Sequence, residues 1–208
     1  MKPQFLYFDL GNVLLTFSNE RACEQMAAVA GVSYEDVAQL VIGPHERESL
    51  LWRFEHGLVS EDEFFERFCR ELNVEPDRRE LEVAAADMFA PIESSFALVQ
   101  DLKAAGHRLG ILSNTNPVHW RFLTDGRFPV LCDVFEQNVT SFDARSMKPD
   151  RKVYDFAVQK CGVPAEGVFF VDDRIENVEG AITAGLNAVQ YTDHDQLEVD
   201  LKQRGIEW

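Results

Sequence analysis

Residues Phe5 to Val13 read F-L-Y-F-D-L-G-N-V, an apolar run that delivers one carboxylate, Asp9, into a glycine-containing turn. A carboxylate at the C-terminal end of a buried strand is poorly solvated, which marks it for chemistry or for holding a cation. It also lies where open α/β sheets bind ligands, in the crevice beyond the strand ends. Capping the turn or the following helix is the other use of the same residue. The rest of the chain decides between them.

Two textures follow. From about Phe17 to Met88 apolar residues recur at helical spacing, with no convincing strand. The pattern predicts helices over Ala22–Ala30, Tyr34–Val41, Glu48–Glu55, Glu61–Leu72 and Arg78–Met88. Ser33 and Ser60 suit N-caps, and Glu63 completes a capping box with Ser60. Gly31, Gly43-Pro44, Gly57 and the stretch Asn73 to Pro76 punctuate the run. After Ala90-Pro91 helix and strand alternate. Helices are expected at Ser94–Ala105, from Pro117, at Arg151–Cys161 and at Ile175–Ala184. Strands are expected at His107–Ser113, Asn138–Thr140, Val168–Val171 and Asn187–Tyr191. Such alternation implies an α/β fold with a doubly wound parallel sheet. The first strand belongs to that sheet, so the helical block reads as an insert. The expected division is a core of residues 1–16 and 90–208 with a helical domain of 17–89.

Composition narrows the function. The formal net charge is −16, from 20 basic and 36 acidic residues, which argues against broad binding to nucleic acid or to an anionic membrane. Cys23, Cys69, Cys132 and Cys161 are widely spaced, which fits reduced thiols better than a disulfide framework or a zinc site. The chain starts directly with a strand, and no apolar stretch approaches the ~20 residues needed to span a bilayer. A soluble cytoplasmic protein is expected, either monomer or homodimer.

Four polar signals fall at the ends of predicted core elements: Asp9; Ser113-Asn114-Thr115; Lys148-Pro149; and Asp172-Asp173. Parallel strands place their C-terminal ends on one edge, so these groups should converge. Clustered carboxylates repel unless a cation holds them, and Mg²⁺ prefers hard oxygen ligands. A hydroxyl, an ammonium and loop amides are the donors that a phosphate group needs. Together they suit phosphoryl transfer, with Asp9 attacking phosphorus in line and water hydrolysing the aspartyl-phosphate. Taken singly, Ser113-Asn114 is a turn, Lys148-Pro149 a surface loop, and Asp172-Asp173 an N-cap pair.

As a set they resemble the haloacid dehalogenase superfamily of phosphohydrolases. The resemblance implies Asp9 as nucleophile, Ser113 (with Asn114) binding phosphate at the end of I-L-S-N, and Lys148 in M-K-P-D stabilising nucleophile and phosphoryl charge. It implies V-D-D-R-I-E-N as the metal motif, with Asp173 ligating Mg²⁺ directly and Asp172 a ligand or its neighbour. The Gly11 backbone carbonyl would also ligate, and the helical insert matches a C1-type cap. Most phosphatases of the superfamily carry aspartate at the Gly11 position as general acid and base. Glycine cannot transfer a proton, and such assistance contributes about 10²–10⁴-fold. F-D-L-G-N-V resembles a subgroup that includes bacterial glucose-1-phosphate phosphatases.

The resulting expectation is a Mg²⁺-dependent phosphatase of a small phosphorylated metabolite, such as a sugar phosphate. Its rivals are a metal-free 2-haloacid dehalogenase using Asp9, and a low-turnover binding protein that Gly11 keeps in play. His119 is a candidate pocket residue, and His45, Arg47, Trp52, Arg53 and His56 are candidate substrate contacts. Asn116, Arg174 and Asn177 are candidate supports. His107 is expected to begin a strand and His194 to lie in a loop. Phe54, Phe64, Phe65 and Phe68 read as core of the helical block.

Overall fold

The computed structural model describes residues 2–43 and 49–208. In chain order, β1 (Phe5–Phe8) and β2 (Leu15–Phe17) lead into five helices. These are α1 (Asn19–Ala30), α2 (Tyr34–Val41), α3 (Leu50–Glu55), α4 (Glu61–Leu72) and α5 (Arg78–Ala86). Then come β3 (Phe89–Pro91), α6 (Glu93–Ala104), β4 (Leu109–Ser113), α7 (Pro117–Leu123), α8 (Pro129–Asp133) and β5 (Gln137–Thr140). The chain closes with α9 (Ser141–Ala144), α10 (Arg151–Cys161), β6 (Val168–Asp172), α11 (Ile175–Thr183), β7 (Asn187–Gln190) and α12 (His194–Gln203).

Alternation on β1 buries Phe5 and Tyr7 in one apolar cluster and Leu6 and Phe8 in another, so both faces of this strand are covered. It is accordingly central in a five-stranded sheet of order β5-β4-β1-β6-β7, every pairing parallel. The doubly wound sheet expected from the alternation is therefore present. Asp9, Ser113 and Asp172 all fall at strand C-termini on one edge, because β1 pairs in parallel with both β4 and β6.

Helices α1 to α5 form their own apolar cluster, which includes Phe54, Phe64, Phe65 and Phe68 and packs on Val118 and Phe122 of α7. Ser33 caps α2, and the Ser60–Glu63 capping box opens α4. The predicted start of the third helix at Glu48 lies outside the described residues.

Three expectations need correction. The block bounded by Phe17 and Met88 is flanked by a strand pair that periodicity missed, β2 and β3, antiparallel with Phe17 opposite Phe89. Three residues are too few to show a period. The expected boundaries 16/17 and 89/90 fall inside this pair. His194 is the first residue of α12, which Asp193 caps, and is not in a loop. His107 precedes its strand, which begins at Leu109. No helix among the described residues is long and apolar enough to cross a membrane.

Candidate active site

The turn after β1 aims Asp9. Its backbone N–H donates to Val171 O at 3.0 Å, continuing the sheet, and the chain then tightens as Val13, Leu14 and Leu15 N–H all donate to Leu10 O. Asn12 takes the left-handed conformation at φ 55°. Asparagine tolerates that conformation better than most side chains. The Leu10 N–H donates to Asp9 Oδ1 at 2.7 Å and Lys148 Nζ lies 2.9 Å from the same oxygen, so both hold Oδ1. Burial pushes the Asp9 carboxyl up to about 7 from its ordinary 3.8, against the opposing pull of Lys148 and with a further push from Asp172.

Lys148 is buried with its ammonium among three oxygens: Asp9 Oδ1, Asp172 Oδ2 at 2.5 Å and Leu112 O at 3.1 Å. Burial works against its charge, but Asp172 and Asp9 outweigh that and hold it protonated, above its ordinary range. Asn114 brackets the lysine's main chain. Its Oδ1 accepts from Lys148 N–H at 2.9 Å, and its Nδ2 donates to Lys148 O at 3.1 Å. The Lys148-Pro149 peptide bond is cis. Asp172 is fully buried, and its Oδ1 accepts from Arg174 N–H and Asn177 Nδ2, both at 2.9 Å.

Asp173 sits nearer the surface, where Asn12 Nδ2 donates to its Oδ2 at 2.9 Å. One carboxylate oxygen each from Asp9, Asp172 and Asp173 lie within 4.8 Å of one another. Asp9 and Asp172 hold the one buried lysine, and Asp173 stands close beside them. That donor set suits a hard divalent cation. Ser113 Oγ makes only a 3.4 Å contact with Asn114 O, so its hydroxyl remains available to a ligand.

A cavity of about 210 Å³ joins these groups, lined by Asp9, Gly11, Ser113, Asn114, Lys148 and Asp173 among others. The helical block supplies Leu51, Trp52 and Glu55 to its walls, and the strand pair supplies Phe17 and Phe89. Ser141 Oγ pins this side to the sheet edge, accepting from Thr115 N–H at 3.0 Å and donating to Glu55 O at 2.5 Å. Arg53 and His56 are not among the described walls, and His45 and Arg47 lie outside the described residues.

His119 lines the cavity but is committed elsewhere. Its Nδ1 accepts from Asn116 Nδ2 at 3.0 Å and its Nε2 donates to Ala85 O at 3.2 Å. Those partners assign a neutral ring with the proton on Nε2. Burial lowers its pKa to about 4. Asn116 caps α7, Arg174 pairs with Glu176 at 2.6 Å, and Asn177 holds Asp172. Sequence reasoning missed Phe17, Phe89, Glu55, Asn12 and Ser141. Of these, only Asn12 sits within a recognised motif.

A family model for haloacid dehalogenase-like hydrolases matches residues 6–185. A pyrimidine 5'-nucleotidase of Escherichia coli is 27% identical over 199 residues, covering 89% of this chain and 84% of its own. The fold superposes on a family enzyme from Bacteroides thetaiotaomicron, crystallised with magnesium and inorganic phosphate, with a TM-score of 0.79. Those two chains share 21% identity over 94% of this one and 98% of that one. An L-2-haloacid dehalogenase from Xanthobacter autotrophicus matches with a TM-score of 0.62 at 21% identity, over 97% and 83% of the two chains. The family match runs from the second residue of β1 to the turn after α11, and so includes Asp9, Ser113, Lys148, Asp172 and Asp173. The chain therefore belongs to the haloacid dehalogenase-like hydrolases.

Proposed function

We propose that the protein is a Mg²⁺-dependent phosphatase of small phosphate monoesters, with Asp9 as nucleophile. The observation that carries this reading is the geometry at the sheet edge: three convergent carboxylates, two of them held by one buried lysine. Asp9, Asp173 and the Gly11 carbonyl would hold the metal, with Asp172 beside them. When bound, Mg²⁺ neutralises charge between nucleophile and phosphoryl oxygens.

The chain's own residues do the rest. Lys148 and the Leu10 N–H hold Asp9 Oδ1, which leaves Oδ2 to attack phosphorus in line. The Ser113 hydroxyl binds a phosphoryl oxygen, and the Lys148 ammonium, held beside Asp9, offsets the charge of nucleophile and phosphoryl group. Asp172 keeps Lys148 charged and in place. Water then cleaves the aspartyl-phosphate and restores Asp9. The helical block acts as the cap that excludes bulk water and sets substrate choice. The E. coli nucleotidase relative and the magnesium and phosphate in the Bacteroides enzyme support the same reading.

A dehalogenase would use Asp9 alike, but it has no work for the metal cluster that Asp173 completes. Phosphate release from an aryl phosphate should require Mg²⁺ and vanish in Asp9→Asn. Release that ignores EDTA, or that survives Asp9→Asn, overturns the proposal. Chloride release from a 2-haloacid would establish the dehalogenase instead.

A further inference from the structure

Asn12 is exposed in the turn after β1 and holds the left-handed conformation at φ 55°. Its N–H donates to Leu15 O at 2.7 Å, which closes the turn onto β2. Glycine adopts that conformation at no steric cost, whereas asparagine is merely tolerated there. The backbone alone therefore gives no reason for asparagine at this position. The side chain does: Asn12 Nδ2 donates to Asp173 Oδ2 at 2.9 Å, across 161 positions of sequence.

The surrounding hydrogen bonds give that contact a specific job. The main chain at Asp173 is already fixed, since Gln190 Nε2 donates to Asp173 O at 2.9 Å and the Tyr191 N–H donates to Asp172 O at 2.8 Å. Rotation of the Asp173 side chain is the freedom that remains, and the Asn12 amide restricts it. The three carboxylates then differ in what they can offer. Asp172 has both oxygens engaged, Oδ1 by the Arg174 N–H and Asn177 Nδ2, and Oδ2 by Lys148. Asp9 has Oδ1 engaged by the Leu10 N–H and Lys148, and Asp173 has Oδ2 engaged by Asn12. Among the described residues no hydrogen bond reaches Asp9 Oδ2 or Asp173 Oδ1. Asp9 and Asp173 thus present one oxygen each.

Resting on the phosphatase reading, in which Asp9 and Asp173 hold Mg²⁺, we infer that Asn12 is a positioning residue that selects the cation. By occupying Oδ2 it makes Asp173 a one-oxygen ligand. Mg²⁺ demands near-octahedral geometry with few protein ligands, which single oxygens satisfy. Ca²⁺ takes about six to eight oxygens and accepts carboxylates through both of theirs. An Asp173 held by Asn12 denies Ca²⁺ the second oxygen.

Isothermal titration calorimetry with magnesium chloride and with calcium chloride tests this on the metal-free protein and two variants. Asn12→Gly keeps the left-handed turn and deletes the amide. Asn12→Asp keeps the side-chain size and the tolerance for that turn but replaces the donor with an acceptor. In both, the ratio of Ca²⁺ to Mg²⁺ affinity should rise at least ~5-fold over wild type, the factor carried by one typical hydrogen bond. Mg²⁺-dependent phosphate release from an aryl phosphate should become more sensitive to added Ca²⁺ in the same variants. An unchanged ratio in both variants leaves Asn12 as a turn residue and overturns the inference, with the phosphatase reading intact. Equal weakening of the two ions overturns it as well, because a ligand is then held without an ion being selected. A shift confined to Asn12→Asp reports the added charge alone and counts equally against it. A wild-type protein that binds neither ion overturns the inference and the phosphatase reading together.

Discussion

Lys148 stands between two buried carboxylates, 2.9 Å from Asp9 and 2.5 Å from Asp172, so removing its ammonium strands both. Breaking a buried pair on one side costs about 3–5 kcal/mol. Lys148→Met should lose that much in urea unfolding at pH 7.5 and less at pH 5, where Asp9 takes a proton. Asn114 acts on the same lysine through its main chain. Asn114→Ala should cost ~1–3 kcal/mol and lower kcat more than it raises KM, because two backbone groups lose a partner and Lys148 is no longer held. The charged members of the site are legible in sequence only as a set, since each taken singly has an ordinary use in a turn, a loop or a helix cap. The hold of Asn114 on Lys148 is not. Those residues lie 34 positions apart, and only the parallel sheet brings them together. Phe17 was hidden for a different reason: one aromatic in a three-residue strand carries no periodic signal.

At the scale of elements, α11 packs closely against the loop that carries Lys148. A Cβ on Gly180 would lie 2.7 Å from Pro149 O and 2.9 Å from its Cβ. Alanine favours a helix over glycine by up to ~1 kcal/mol, but overpacking against backbone costs ~1–3 kcal/mol. Gly180→Ala should therefore be destabilising on balance, and phosphate release should fall along with thermal midpoint as the lysine loop is pushed outward. Ser141 joins another pair of elements, the end of α3 and the turn after β4. Ser141→Ala should raise KM more than it lowers kcat, because the cap side of the cavity is loosened while Asp9 and Lys148 stay in place. Most helices of eight or more residues were readable from apolar spacing, and α2, α4 and α10 have the predicted bounds. The five-residue α8 and four-residue α9 were not, because they span scarcely more than one turn. The C-terminal α12 was also passed over, although Asp193 marks its start.

For the whole molecule, the raised Asp9 carboxyl links metal, pH and stability. Its pKa is about 7 in the folded chain against an ordinary 3.8, so the folded state binds the proton more tightly. The stability this contributes is present below pH ~4 and is lost as pH rises through about 7. Metal-free protein should thus lose thermal midpoint between pH 5 and pH 8, and Asp9→Asn should flatten that decline. Mg²⁺ needs the ionised carboxylate, so its stabilising shift should be larger at pH 8 than at pH 5.5. Differential scanning fluorimetry with and without Mg²⁺ reads both effects, and a pH-independent shift would contradict them. The sequence by itself determined the parallel α/β core and the helical insert, because apolar periodicity is a local pattern, and its four motifs carried the resemblance to the family. Only the tertiary structure decided how the strand-end charges pair and that Asn12 meets Asp173. Burial, a 2.5 Å ion pair and an amide 2.9 Å from a carboxylate depend on distances between segments far apart in the chain.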